Sequence, residues 1–201
     1  MLPLLQSIMT PRKLIICDGA DRVGKTTLIA EIQSHLGKEK CDTVHLSEPA
    51  NNQNDPYDIN REKIGEWVAS GKEWFFFDRS YPCSMVYEER RRGNAGHLAH
   101  VVEIEVELAD CSDEFQVVHV CVEKPWRWSA KHHLIEVRQL FPEAAPWFVR
   151  DQMISRMREH KEFYEKMYDF YENITMFPIA YFYEWETIED LFKKINNCLS
   201  N

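Results

Sequence analysis

Gly19-Ala20-Asp21-Arg22-Val23-Gly24-Lys25-Thr26 satisfies the pattern G-x-x-x-x-G-K-[ST]. Its flanks are those the mechanism requires. Leu14-Ile15-Ile16-Cys17 before it is a short apolar run suited to a buried strand, and Thr27-Leu28-Ile29-Ala30-Glu31-Ile32 after it continues at helical spacing, with apolar residues at 28, 29, 32 and 36. A glycine-rich loop placed between a strand and a helix turns its backbone N–H groups inward, and the positive end of the helix adds to them; together they form an anion cradle. In such a cradle Lys25 reaches the β- and γ-phosphates of a nucleotide as a point charge, and the Thr26 hydroxyl holds Mg²⁺. Gly19, Val23, Gly24 and Thr27 complete the loop around a bound ATP.

The rest of the composition bounds the protein. The chain has 201 residues, 44% of them hydrophobic and 28% charged, enough for a sizeable core in one domain spanning 1–201. Its formal charge of −9 disfavours non-specific attraction to nucleic acid, although a local basic groove could still exist. A small anionic nucleotide is still accommodated by local cations and a metal ion. The six cysteines show neither C-x-x-C pairs nor short spacings to histidine, which argues against a zinc site or a disulfide framework and for a reducing, cytoplasmic setting. No apolar run is long enough for a membrane helix. Met1–Thr10 lacks a basic start and soon meets Pro11, so it does not have the form of a signal peptide.

Five strand candidates, at Lys13–Cys17, Thr43–Leu46, Trp74–Phe77, Phe115–Val122 and Met176–Tyr181, alternate with helical patterns at Gly24–Leu36, Asp58–Ser70, Pro146–Tyr171 and Thr187–Leu199. This alternation predicts an α/β fold, a five-stranded parallel sheet with helices on both faces. Val101–Leu108 alternates Val and Ile with Glu103, Glu105 and Glu107, which is a strand period; the alternating architecture requires a helix there, and a helix is predicted. Asn51–Pro56 is a polar, turn-rich stretch after the second strand, on the edge where open α/β sheets bind ligands.

Trp74-Phe75-Phe76-Phe77-Asp78 is an apolar strand ending in an acid, followed by Arg79-Ser80. Beside a phosphate loop, Asp78 can hold Mg²⁺ or its water, or bind the acceptor, and Arg79 can bridge the donor and acceptor phosphates. With Asp21-Arg22 inside the loop, Glu48-Pro49 after the second strand and Asp78-Arg79-Ser80 after the third, the chain resembles the thymidylate kinase and deoxynucleoside kinase superfamily of P-loop kinases. It is most similar to the thymidylate kinases that carry Asp-Arg in the loop. The resemblance implies that Arg22 contacts the γ-phosphate in the transition state and that Asp21 contacts the acceptor sugar. A plainer reading pairs Asp21 with Arg22 on the surface. The resemblance also implies a mobile lid at 124–140, where Arg127, Lys131 and Arg138 could fold over the ATP phosphates, and a homodimer.

Two departures bear on the acceptor. Ser47 stands where thymidylate kinases place an arginine that helps hold the acceptor phosphate. The interval 49–72 offers a single helix where the family uses more to clasp the acceptor base, with Trp67 or Tyr57 as its aromatic candidates. The leading expectation is ATP-dependent transfer to a deoxynucleotide. An alternative is a deoxynucleoside or hydroxymethylated-pyrimidine kinase with Glu48 as the base that takes the hydroxyl proton. An alternative of another class is a nucleotide switch or ATPase, weakened in its GTPase form by the lack of N-K-x-D.

Overall fold

The computed structural model describes residues 11–45, 56–92 and 97–200. Glu48, together with Ser47 and Pro49, lies outside them. Leu14–Cys17 is inaccessible on both faces, as expected of a strand covered by helices above and below, and it forms the middle of β1 (Arg12–Asp18). β1 pairs in parallel with β3 (Trp74–Asp78) on one side and β4 (Phe115–Glu123) on the other, so Ile15 stands between Phe76 and Val118. β2 (Cys41–His45) adds to β3, and β5 (Ile179–Tyr183) to β4. The resulting order β2-β3-β1-β4-β5, parallel throughout, is the predicted five-stranded sheet.

The helices are α1 (Lys25–Leu36), α2 (Pro56–Ser70), α3 (Tyr81–Arg92), α4 (His97–Asp110), α5 (Trp126–Leu140), α6 (Pro146–Asn173) and α7 (Ile188–Ser200). α1 packs beside α7, while α2, α3, α4 and α6 pack among themselves. Both groups bury apolar side chains against the strands, with Leu28, Ile29 and Ile32 from α1, Leu191 and Ile195 from α7, and Phe163, Met167 and Phe170 from α6.

α4 settles the ambiguous segment. Val101, Ile104, Glu105 and Leu108 are buried while Val102 and Val106 are exposed, which is helical spacing and not alternation. The last strand differs from its sequence reading, starting at Ile179 instead of Met176. The backbone N–H of Met176 and the hydroxyl of Thr175 both donate to the Glu105 carboxylate, at 2.8 and 3.0 Å, and Pro178 has no N–H to give a ladder. α3 lies outside the helical patterns read from sequence; Tyr81, Cys83 and Val86 are among its buried residues. Trp67 and Tyr57 are core residues of α2. Trp67 stacks on Phe75 at 5.3 Å and Tyr57 on His100 at 5.1 Å, each 1% exposed, so neither is available to an acceptor base.

Candidate functional site

Parallel strands deliver their last residues to one edge of the sheet, and here four of them end in a polar side chain: Asp18, His45, Asp78 and Glu123. The loop between β1 and α1 lies on that edge. Gly19 takes a φ of +156°, and a Cβ there would stand 2.8 Å from the carbonyl oxygen of Val122 on the neighbouring strand, so only glycine lets the loop leave β1 this close to β4. Gly24, at φ +96°, turns the chain into α1. Arg22 adopts φ +63° and Arg79 φ +70°; non-glycine residues in this left-handed region are strained, and strain of this kind concentrates at functional sites.

Lys25 is buried within the loop, its ammonium donating to the carbonyls of Gly19 at 2.7 Å and Ala20 at 2.9 Å. Burial lowers its pKa, opposed by the carboxylates of Asp21 and Asp78 nearby. The Thr26 hydroxyl donates to Oδ2 of Asp78, which also meets Nδ1 of His45 at 2.8 Å. Oδ1 of Asp78 is buried with no hydrogen-bond partner. A carboxylate oxygen left unmatched beside a threonine hydroxyl is a hard-oxygen donor set, the kind that Mg²⁺ takes, so these residues fit the ion that the loop implies.

Asp21 points to the other side of the loop. Its Oδ1 accepts from Arg79 Nη2 at 2.7 Å and from the Tyr87 hydroxyl at 3.1 Å. Burial alone would raise its pKa, but Arg79 and Lys25 hold it below the ordinary carboxylate range. Arg22 pairs with Glu136 of α5, Nη2 to Oε2 at 3.0 Å, so Asp21 and Arg22 do not pair with one another. Arg22, Gly24, Lys25, Thr26, Thr27, Asp78 and Arg79 line one open cavity of about 230 Å³, together with His45 and His132. Gly19 and Val23 are not among its lining residues. Arg127 is not part of it: its guanidinium meets Glu184 after β5, whose other oxygen accepts from Trp128 Nε1 at 2.6 Å. Lys131 and Arg138 are both exposed on α5.

His45, Tyr87 and Glu136 belong to this geometry but were not singled out by motif. His45 had a legible signal, a polar residue closing a strand at the edge where Asp78 also sits. Glu136 had none, because its role depends on α5 lying across the loop. A second cavity of about 450 Å³ opens farther along the same edge, between α6 and the ends of β4 and β5. Its walls include Tyr164, Tyr168, Tyr183 and Trp185; Trp185 is 73% exposed and stacks on Tyr183 at 4.9 Å with their planes 5° apart. Beside Asp21 a third cavity, of about 20 Å³, lies between α3, α5 and α6.

No protein-family description and no curated protein matches the chain. Solved structures do. Polyphosphate kinase 2 from Arthrobacter aurescens TC1 superimposes over 94% of this chain with a TM-score of 0.68 at 12% identity. The protein assigned as polyphosphate kinase 2 in Pseudomonas aeruginosa PA01 does so over 97%, with a TM-score of 0.64 at 15% identity. The chain spans 68% and 43% of those two proteins. Deoxyadenosine kinase from M. mycoides, with bound dCTP, covers 93% of the chain at 14% identity with a TM-score of 0.44. The chain thus shares the fold of the two polyphosphate kinase 2 structures.

Proposed function

We propose that the chain is an ATP-dependent phosphotransferase whose acceptor is a deoxynucleotide, in the manner of thymidylate kinases. The observation that carries this reading is the convergence of Arg22, Lys25, Thr26, Asp78 and Arg79, brought from the loop and from β3, on one cavity at the strand ends. Three permanent or near-permanent cations around a carboxylate and a hydroxyl suit a polyanion accompanied by a divalent ion. A bound Mg²⁺, held by Thr26 and Asp78, would supply charge neutralisation across the phosphates. Lys25 leaves the loop carbonyls to meet the donor phosphates, with the loop N–H groups beside it. Arg22 and Arg79 flank the transferring group and stabilise the charge that develops on it. Asp21, anchored by Arg79 and Tyr87, orients the acceptor sugar. The aromatic cleft at Tyr183 and Trp185 offers a face on which a base can stack.

The cavity beside Asp21 is too small for a sugar, so acceptor entry requires α5 to swing from the loop and release Arg22 from Glu136. That movement is the lid motion anticipated for 124–140. The polyphosphate kinase 2 structures favour a second reading, in which a phosphate chain takes the place of one nucleotide partner.

A product-resolved assay tests these together: ATP or polyphosphate as donor, against a panel of nucleosides, deoxynucleoside monophosphates and water, with Lys25→Ala as the control. Transfer from ATP to a monophosphate, lost in the folded control, is expected. Hydrolysis without transfer to any acceptor would move the chain to the switch or ATPase class.

A further inference from the structure

Directly beneath the phosphate loop lies a charged cluster that the reaction as described does not use. Asp18, the last residue of β1 and the neighbour of Gly19, is fully buried, as are His119 of β4 and Glu105 of α4. His119 Nδ1 stands 3.3 Å from Asp18 Oδ2, and His119 Nε2 stands 3.2 Å from Glu105 Oε1.

The protonation of this cluster follows from counting donors. Glu105 Oε1 receives the Tyr81 hydroxyl at 2.6 Å, and Oε2 receives the Thr175 hydroxyl and the Met176 N–H. Asp18 Oδ1 receives the Cys83 thiol at 3.0 Å, and Oδ2 receives the Tyr171 hydroxyl at 3.2 Å. Burial keeps Tyr81, Tyr171 and Cys83 protonated, so each is a donor. Each carboxylate thus accepts from these donors, and with both ionised a histidine wedged between them carries a proton on each ring nitrogen. The titration direction agrees: burial opposes the charge on His119, yet the two carboxylates push its pKa up to about 9. Cys121, also on β4, is pushed out of the titrating range by burial, so the cluster holds one cation between two anions.

We propose that His119, clamped between Asp18 and Glu105, is a positioning residue for the phosphate loop. Resting on the function proposed above, this inference adds the device that fixes the loop's origin. A buried ion triad is costly to break because any remaining charge is left uncompensated. Asp18 is covalently joined to Gly19, so the triad ties the first residue of the loop to α4 and, through Tyr81, Cys83 and Tyr171, to α3 and α6. Without the imidazolium, two carboxylates face one another in the interior. Repulsion then pushes the Asp18 carboxylate from its place, and the loop moves with it.

The test uses the full chain, with His119→Gln and the double variant Glu105→Gln/His119→Gln. The single variant leaves two buried anions; the double restores the net charge of the native cluster without its cation. In the native chain, ¹⁵N imidazole shifts are expected to show both nitrogens of His119 protonated at pH 7. Amide exchange over Gly19–Lys25 is expected to quicken about tenfold or more in His119→Gln and to return most of the way in the double variant, with turnover following the same order and recovering in the single variant as pH falls. A neutral His119 at pH 7 would overturn the proposal. Native loop exchange in the single variant would do the same, and so would a double variant as loose as the single, which would reduce His119 to a packing role. If the single variant does not fold, the imidazole shifts and the double variant still decide. Neither the shifts nor the exchange depends on phosphoryl transfer, so a chain inactive toward every acceptor would sink the kinase reading while leaving this one to its own measurements.

Discussion

Arg22 offers the sharpest single substitution, because its left-handed backbone holds a guanidinium against the cavity at the strand ends while Glu136 pairs with it. If its contact with the donor strengthens only as charge develops, Arg22→Ala is expected to lower kcat by about 10²-fold or more with little change in ATP affinity, measured by steady-state kinetics and nucleotide titration. A change confined to KM would make it a ground-state binding residue. Glu48→Gln separates the acceptor classes. A hydroxyl must lose a proton as it attacks, and a positioned carboxylate is worth roughly 10²–10⁴-fold in that step. A phosphate acceptor already carries a nucleophilic anion, so the deoxynucleotide reading expects a modest loss of kcat. A collapse accompanied by preference for nucleosides would instead establish Glu48 as a base for a hydroxyl. The meeting of Lys25, Thr26 and Asp78 at one cavity could be expected from sequence, the first two because the loop motif sets those residue types at fixed spacing and Asp78 because it closes an apolar strand. The place of Glu136 could not, since it depends on α5 lying beside the loop, while His45 offered only the weaker signal of a polar residue closing a strand.

At the scale of elements, α4 shows how a sequence pattern and a fold can disagree locally. Its run of alternating Val, Ile and Glu satisfies a strand period, and only the requirement for a crossover between β3 and β4 selects the helix. The consequence is an unequal pair of neighbours. Ile104 is 1% exposed and Val102 is 39% exposed. Ile104→Ala is expected to destabilise the chain by about 2–5 kcal/mol through lost burial and a residual cavity, while Val102→Ala should stay within about 0.5 kcal/mol, as measured by urea unfolding. Comparable costs at the two positions would contradict the helix. The same helix explains why Glu105 was read as one of three equivalent acids. Glu103 and Glu107 face solvent and meet Arg61 of α2, at 3.2 and 2.9 Å, whereas Glu105 turns inward to His119. The starts of β1, β3 and β4 were legible to within a residue, where apolar runs begin, whereas β2 starts at Cys41, two residues ahead of its expected start at Thr43. The onset of β5 was not, because Thr175 and Met176 are committed to that inward-facing glutamate by tertiary contacts that no local pattern announces.

Across the whole molecule, the buried triad couples stability to pH, and the sign can be worked out. The folded chain holds His119 at about 9, above an ordinary histidine value of roughly 6.5. The folded state therefore binds more protons than the unfolded state between those values, and stability must fall as pH rises through them. The contribution is complete below about pH 6.5 and is lost as pH climbs through 9. Glu105 works in the opposite direction. Burial would raise its pKa, but His119, Tyr81 and the Met176 N–H hold it below its ordinary value of 4.5. Its contribution is thus present above 4.5 and is lost as pH falls through the lowered folded value. Both contributions are complete in the mildly acidic range between the two unfolded values. From pH 7 to 9 the histidine contributes a downward slope of up to about 1.4 kcal/mol per pH unit, one proton's worth. Other titrating groups share that range, so the measurement is a difference. Urea unfolding of the native chain and of Glu105→Gln/His119→Gln is followed at matched pH, and the native chain is expected to lose stability relative to the double variant as pH rises from 7 to 9. Parallel curves over that interval would mean that His119 does not change its charge on unfolding there, and the cluster would then be a neutral hydrogen-bond network.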